Sequence, residues 1–132
     1  MLTLDSSGVI ALLVETDPDH QAAVAALSHD PGPWVVPAGI LAEAAFMIQR
    51  RGGPAALEVF LEDLETGAYM LDCGERDLPR IRELVRRYRD LPLGFADASV
   101  VACAERSGGA VLTFDRRDFQ VVAGEGTITL AA

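Results

Sequence analysis

The sequence predicts an α/β fold: a central, mostly parallel sheet of four to five strands with helices on both faces, in one domain spanning residues 1–132. Three observations carry this expectation. Short segments that are apolar on both faces alternate with helix-length segments, as strands sandwiched between helices do. Glycine pairs and prolines fall between these segments, where chain reversals are needed. Half of the residues are apolar and 23% are charged, enough to bury a core and incompatible with a disordered or fibrous chain.

In order, residues 1–4 read as a short buried strand ending at Asp5, and Ser6-Ser7 open a helix to about residue 14. Asp17 precedes a second helix over 18–28, with Val24 and Leu27 on its apolar side. Trp34-Val35-Val36 form the second strand, closed by Pro37. An apolar helix follows over 38–51; Gly52-Gly53 stop it and Pro54 starts another to about Thr66. Residues 68–71 are the third strand, and Asp77 starts an arginine-rich helix to Asp90. Residues 95–106 are helical again until Gly108-Gly109, residues 110–113 are the fourth strand, and 127–130 a weaker fifth. Crossovers between parallel strands are expected to be right-handed.

Cys73 and Cys103 have neither zinc-site nor disulfide-framework spacing, and read as structural thiols of a reducing, cytoplasmic compartment. Asp5 interrupts any N-terminal signal peptide. The apolar stretch 31–49 holds three prolines and Glu43, so no membrane span is expected.

The net charge is −9, and all eleven basic residues are arginines. Taken alone, that charge argues against a nucleic-acid partner. The placement of the acids argues otherwise. Asp5 is the only charge in residues 1–14, Glu43 the only one between Asp30 and Arg50, and Asp97 the only one between Asp90 and Glu105. Asp115 follows eight uncharged residues at the end of the fourth strand. An isolated carboxylate in an apolar segment costs several kcal/mol unless it is paired, protonated or metal-bound.

Each acid has an ordinary alternative. Asp5 and Asp97 could cap helices, Glu43 could sit on a solvated helix edge, and Asp115 could belong to a polar turn. Together they fit better as a set, because Asp5 and Asp115 both end strands, where open α/β sheets bind ligands. Converging carboxylates without basic partners call for a hard divalent cation. Oxygen-only ligands favour Mg²⁺ or Mn²⁺, and such a site suits attack of water on a phosphodiester. No nucleophile–histidine arrangement competes, His20 and His29 read as surface residues, and no phosphate-cradling glycine loop is present. The absence of lysine argues against a phospho-receiver domain. Ser6-Ser7 after Asp5, in place of Asp-x-Asp, argues against a haloacid-dehalogenase-type phosphatase.

Asp5-Ser6-Ser7 after the first strand, with Glu43 in an apolar helix, resembles the PIN domain. The run Arg86-Arg87-Tyr88-Arg89-Asp90-Leu91-Pro92-Leu93-Gly94-Phe95-Ala96-Asp97-Ala98, followed by Leu112-Thr113-Phe114-Asp115-Arg116-Arg117-Asp118-Phe119, resembles the VapC-type toxins of bacterial toxin–antitoxin pairs. The resemblance covers essentially the whole chain. It implies a Mg²⁺- or Mn²⁺-dependent endoribonuclease that hydrolyses RNA phosphodiester bonds and is neutralised by a small antitoxin. By the same resemblance Asp5, Asp97 and Asp115 hold metal, and Glu43 binds metal or orients the attacking water. Asp118 is an alternate acid that could share the role of Asp115. Ser7, Ser99 and Thr113 would support the site by hydrogen bonds. The alternatives are a catalytically weak or inactive RNA-binding or regulatory module of the same fold, and a metal-dependent nuclease that is not a toxin.

Residues 76–89 hold six arginines against Asp77 and Glu83, a local balance of +4. Ile81, Leu84, Val85 and Tyr88 form the expected buried stripe of this helix. Its arginines are either a solvated face or a phosphate-facing rim. Arg116 and Arg117, beside Asp115, are stronger candidates for substrate phosphate. Phe46, Met47, Leu57, Phe60 and Leu61 either pack in the core or line a groove for an antitoxin helix or a homodimer contact. With four of the nine surplus charges assigned to the metal site, −5 remains, which predicts weak, metal-dependent, salt-sensitive RNA binding at one edge. Single-stranded loops are the easier substrate, since unstacked nucleotides reach a recessed site.

Overall fold

In a computed structural model that describes all 132 residues, five short strands form one sheet in the order β3-β2-β1-β4-β5: β1 (Leu2–Leu4), β2 (Trp34–Pro37), β3 (Met70–Asp72), β4 (Ala110–Leu112) and β5 (Thr129–Ala131). Every pairing is parallel, so the expectation of a mostly parallel sheet is met in full. Leu2, Leu4, Val35, Val36, Val111 and Leu112 are buried, as strands covered on both faces require.

Six helices cover the sheet: α1 (Ser6–Leu13), α2 (His20–Ser28), α3 (Leu41–Thr66), α4 (Leu78–Arg87), α5 (Phe95–Arg106) and α6 (Arg116–Ala123), with single 3₁₀ turns at Ala38–Ile40 and Glu75–Asp77. The two helices expected on either side of Gly52-Gly53 are one element broken at Gly53, whose left-handed φ of 85° interrupts the helical run before Pro54. Helix α1 lies close on β4, and a Cβ at Gly8 would stand 2.7 Å from the Leu112 carbonyl oxygen.

Helix α6 departs from expectation, because Asp115-Arg116-Arg117-Asp118 reads as a polar turn. Only Phe119 and Val122 anchor it, three residues apart and both fully buried, and two core positions give little periodicity to read. Val85, expected in the buried stripe of α4, is exposed; Ile81 and Leu84 alone are buried there.

The chain runs outward from β1 through β2 to β3, then crosses back to place β4 on the other side of β1. That reversal opens a crevice at the carboxyl ends of β1 and β4, the usual ligand position of an open parallel sheet. No helix is long and apolar enough to cross a membrane.

Candidate active site

Asp5 follows β1 directly. Its backbone N–H donates to the Leu112 carbonyl (3.0 Å), extending the β1–β4 pairing by one residue, and its carbonyl accepts the first α1 bond from Val9 (3.0 Å). The backbone therefore starts the helix, but the side chain does not cap it. The carboxylate is only 2% exposed and turns toward β4, where Oδ2 accepts hydroxyl protons from Thr113 (2.8 Å) and Ser7 (3.1 Å). Burial raises its pKa, against those hydrogen bonds, and the charge of Asp115 adds to the rise.

Thr113 also ties down the next acid: its Oγ1 accepts the backbone N–H of Asp115 (3.1 Å). Ser7 Oγ accepts the backbone N–H of Phe114 (2.9 Å), so the end of β4 is pinned to α1 through two hydroxyls. Asp115 precedes α6 with an exposed side chain that makes no cap bond. Glu43 sits exposed in the first turn of α3, where Oε1 accepts from Ser6 Oγ (3.2 Å). Ser6 is a site residue that the sequence did not disclose, because a serine at a helix start reads as a cap.

Asp97 lies in the first turn of α5 and likewise makes no cap bond. Its carboxyl is pushed up to about 6, first by burial and then by the charges of Asp5, Asp115, Asp118 and Glu43. All four sequence-predicted acids and Asp118 are thus electrostatic neighbours. None of Asp5, Glu43, Asp97 and Asp115 forms an ion pair.

Asp118 has Oδ1 buried without a hydrogen-bond partner. Its nearest cation, Arg117, stands at 3.8 Å with an 86% exposed side chain and screens it little. The orphaned oxygen and the all-oxygen donor set fit a hard divalent cation. No three of the side chains stand close enough together, as placed, to form a metal-ligand group. Ser99 does not join them: its hydroxyl donates to the Ala96 carbonyl (2.7 Å), correcting the expectation that it braces an acid.

The arginines divide. Arg80 holds Glu105 through Nε (2.9 Å) and Nη2 (2.8 Å), Glu83 through Nη1 (2.8 Å), and Glu125 at 3.3 Å; Arg87 also reaches Glu125 (2.6 Å). These two are structural, whereas Arg82, Arg86, Arg89 and Arg116 have no ion-pair partner. The apolar set of α3 divides too: Phe60 is core, Met47 and Leu57 pack against it, and Phe46 and Leu61 are exposed.

A model of the PIN domain matches residues 2–125. Ribonuclease VapC26 of Mycobacterium tuberculosis is 30% identical over 123 residues, which cover 92% of this chain and 91% of the relative. The crystal structure of M. tuberculosis VapC20, a sarcin-ricin loop cleaving toxin, superposes with a TM-score of 0.80 at 20% identity, covering 92% of this chain and 95% of that one. At that identity the superposition speaks for the fold, while the family match and the closer sequence similarity speak for kinship. The chain belongs to the PIN-domain family and, within it, to the VapC-type proteins.

Proposed function

We infer that this protein is a metal-dependent endoribonuclease, the toxin of a toxin–antitoxin module, with Asp5, Asp97 and Asp115 as the residues that hold Mg²⁺ or Mn²⁺. One observation supports this most strongly: Asp97 stands among Asp5, Asp115, Asp118 and Glu43 without a cation, and burial first and those charges second raise its carboxyl to about 6. Asp118, with its orphaned oxygen, is the acid best placed to share the work of Asp115.

A bound divalent ion would lower the pKa of the attacking water and offset charge on the phosphate. The chain's own residues supply position and proton handling. Thr113 and Ser7 hold Asp5 Oδ2 and so fix the carboxylate that would bind the ion. Glu43, steadied by Ser6, would orient the water and accept its proton. Arg116 and Arg117, in the first turn of α6, would contact the phosphate beside the bond that is cut. The exposed Phe46, Val59 and Leu61 of α3 offer apolar surface to an antitoxin helix or a second copy of the chain.

The deciding experiment measures cleavage of structured RNA by wild type, D5N and D97N with Mg²⁺, with Mn²⁺ and with chelator. Cleavage is expected for wild type only with metal, and for neither variant at a comparable rate. Equal cleavage by D97N would remove the metal-site assignment. Growth arrest on expression, relieved by the product of a neighbouring short reading frame, tests the toxin role.

A further inference from the structure

A cavity of about 240 Å³ lies at the carboxyl ends of β2 and β3, between the segment after β2, the loop after β3, and helices α4 and α5. Phe95 and Ser99 line it from the first turns of α5; Asp97 lies between them in sequence and leaves the helix on the opposite face, so the first turn of α5 separates the cavity from the candidate metal site. Gly39 keeps the wall thin: a Cβ there would stand 2.3 Å from Ser99 Oγ and 3.3 Å from the Phe95 ring. Phe95 is nonetheless 56% exposed, an aromatic face with one side left to solvent.

Farther along the wall are three acids with different fates. Asp72 and Asp77 are both held by Arg106, whereas Glu75 has no ion pair. Beyond Glu75 the cavity continues into an open depression that reaches Arg76, another side chain without an ion-pair partner. The surface thus runs from an aromatic ring at the start of α5, past one exposed carboxylate without an ion pair, to one exposed guanidinium without one.

We propose that this cavity takes one unstacked RNA base flanking the bond that is cut, and that Glu75 selects guanine there. The proposal rests on the ribonuclease reading above. An aromatic face stacks on any base and does not discriminate. A carboxylate can only accept, and guanine alone presents two adjacent donors, N1–H and N2–H₂, to its two oxygens. Adenine and cytosine set an acceptor nitrogen beside their amino group, and uracil flanks its single N–H with two carbonyls. Arg76 lies where the phosphate of that nucleotide or its neighbour would leave the cavity.

The test uses the full chain and a set of short single-stranded RNAs in which each position around the cut carries guanosine, inosine, adenosine or a pyrimidine. Inosine lacks only the N2 amino group. Wild type is expected to prefer guanosine at one flanking position, with kcat/KM about tenfold lower for inosine there; E75Q loses that discrimination, and F95A raises KM for every base. An E75Q profile identical to that of wild type would overturn the proposal.

A second readout needs no cleavage. Cys73 is exposed and lines the cavity, whereas Cys103 is buried with its thiol pKa raised by burial. Without metal, a guanosine trinucleotide should slow alkylation of Cys73 in wild type more than its inosine analogue does, and equally with it in E75Q. If no RNA is cut with metal but this selective protection is seen, the ribonuclease reading fails and the base site stands. Absence of any base preference in both measurements would remove the site.

Discussion

Acids in this chain live under two regimes. At the far end of α5, Asp72 and Asp77 share Arg106, and Glu105 is gripped by Arg80, which lowers its pKa. At the near end of the same helix, Asp97 faces Asp5, Asp115, Asp118 and Glu43 without a cation, and its pKa is raised to about 6. One twelve-residue helix therefore joins a neutralised cluster to an unneutralised one. The difference teaches that the −9 net charge is not spread over the surface as a general repulsion of RNA. Part of it is concentrated where a divalent ion can relieve it, while Asp72, Asp77 and Glu105 are each held by an arginine.

The largest expected effect breaks the unneutralised cluster. D97N should reduce metal-dependent RNA cleavage on the order of 10³-fold, the loss of several kcal/mol of transition-state stabilisation. The same change should raise the thermal midpoint of the metal-free protein at neutral pH, because it removes a charge that the folded state disfavours. A D97N protein that was both active and no more stable would dissolve the contrast between the two clusters.

Breaking the neutralised cluster should do the opposite. D77N takes away the buried partner of Arg106 and leaves it Asp72 alone, and should cost about 2 kcal/mol of unfolding free energy, seen in urea denaturation. Metal affinity, measured by calorimetry, should change little, since Asp77 sits near the other end of α5.

The two regimes also have opposite pH signatures. Asp97 has a folded-state pKa near 6 against 3.8 for a free carboxyl, so the folded protein binds its proton more tightly. Its contribution to stability is full at low pH and is lost as pH rises through 6. Glu105 is lowered, so its contribution is present above its ordinary pKa of 4.5 and is lost as pH falls through the folded value. The metal-free protein should therefore gain thermal stability on going from pH 7 to pH 5 and lose the Glu105 contribution as the pH falls below 4.5. Saturating Mg²⁺ should flatten the upper limb by favouring the charged form of Asp97, and D97N should shrink it. A midpoint that rose steadily from pH 5 to 7 without metal would contradict this ordering.

The unneutralised cluster was more legible than the neutralised one, for a physical reason. Asp5, Glu43, Asp97 and Asp115 stand alone in apolar segments, and isolation is visible along one dimension. The matched acids are matched at a distance: Arg80 meets Glu105 and Glu125 across 25 and 45 positions, which no local spacing reveals. For the same reason the arginines of α4 and the turn after it could not be sorted in advance into Arg80 and Arg87, which hold glutamates, and Arg82, Arg86 and Arg89, which do not. The strands were legible from their apolar runs, whereas α6 was hidden by a polar start and only two core anchors. Ser99, expected to brace an acid, bonds the Ala96 carbonyl of its own helix, and Ser6, expected to open α1, braces Glu43, because the direction of a hydroxyl depends on tertiary neighbours.

The smallest expected effect separates two ways of holding an acid within the unneutralised cluster itself. Asp5 is buried and receives two hydroxyls, so losing either one leaves the other in place. Glu43 is exposed and receives one, from Ser6 at 3.2 Å. S6A should therefore lower kcat about tenfold, the smaller end of what removing a ligand-orienting partner costs, with KM nearly unchanged. S7A should do less, because Thr113 still donates to Asp5 Oδ2 and packing fixes the carboxylate. S6T, which keeps the hydroxyl, should recover most of the loss, whereas a general weakening of α1 would not be repaired by the bulkier side chain. Should S6A match wild type while E43Q remains impaired, Glu43 would be oriented by bound ion or substrate alone, and the exposed part of the cluster would need no support from the fold.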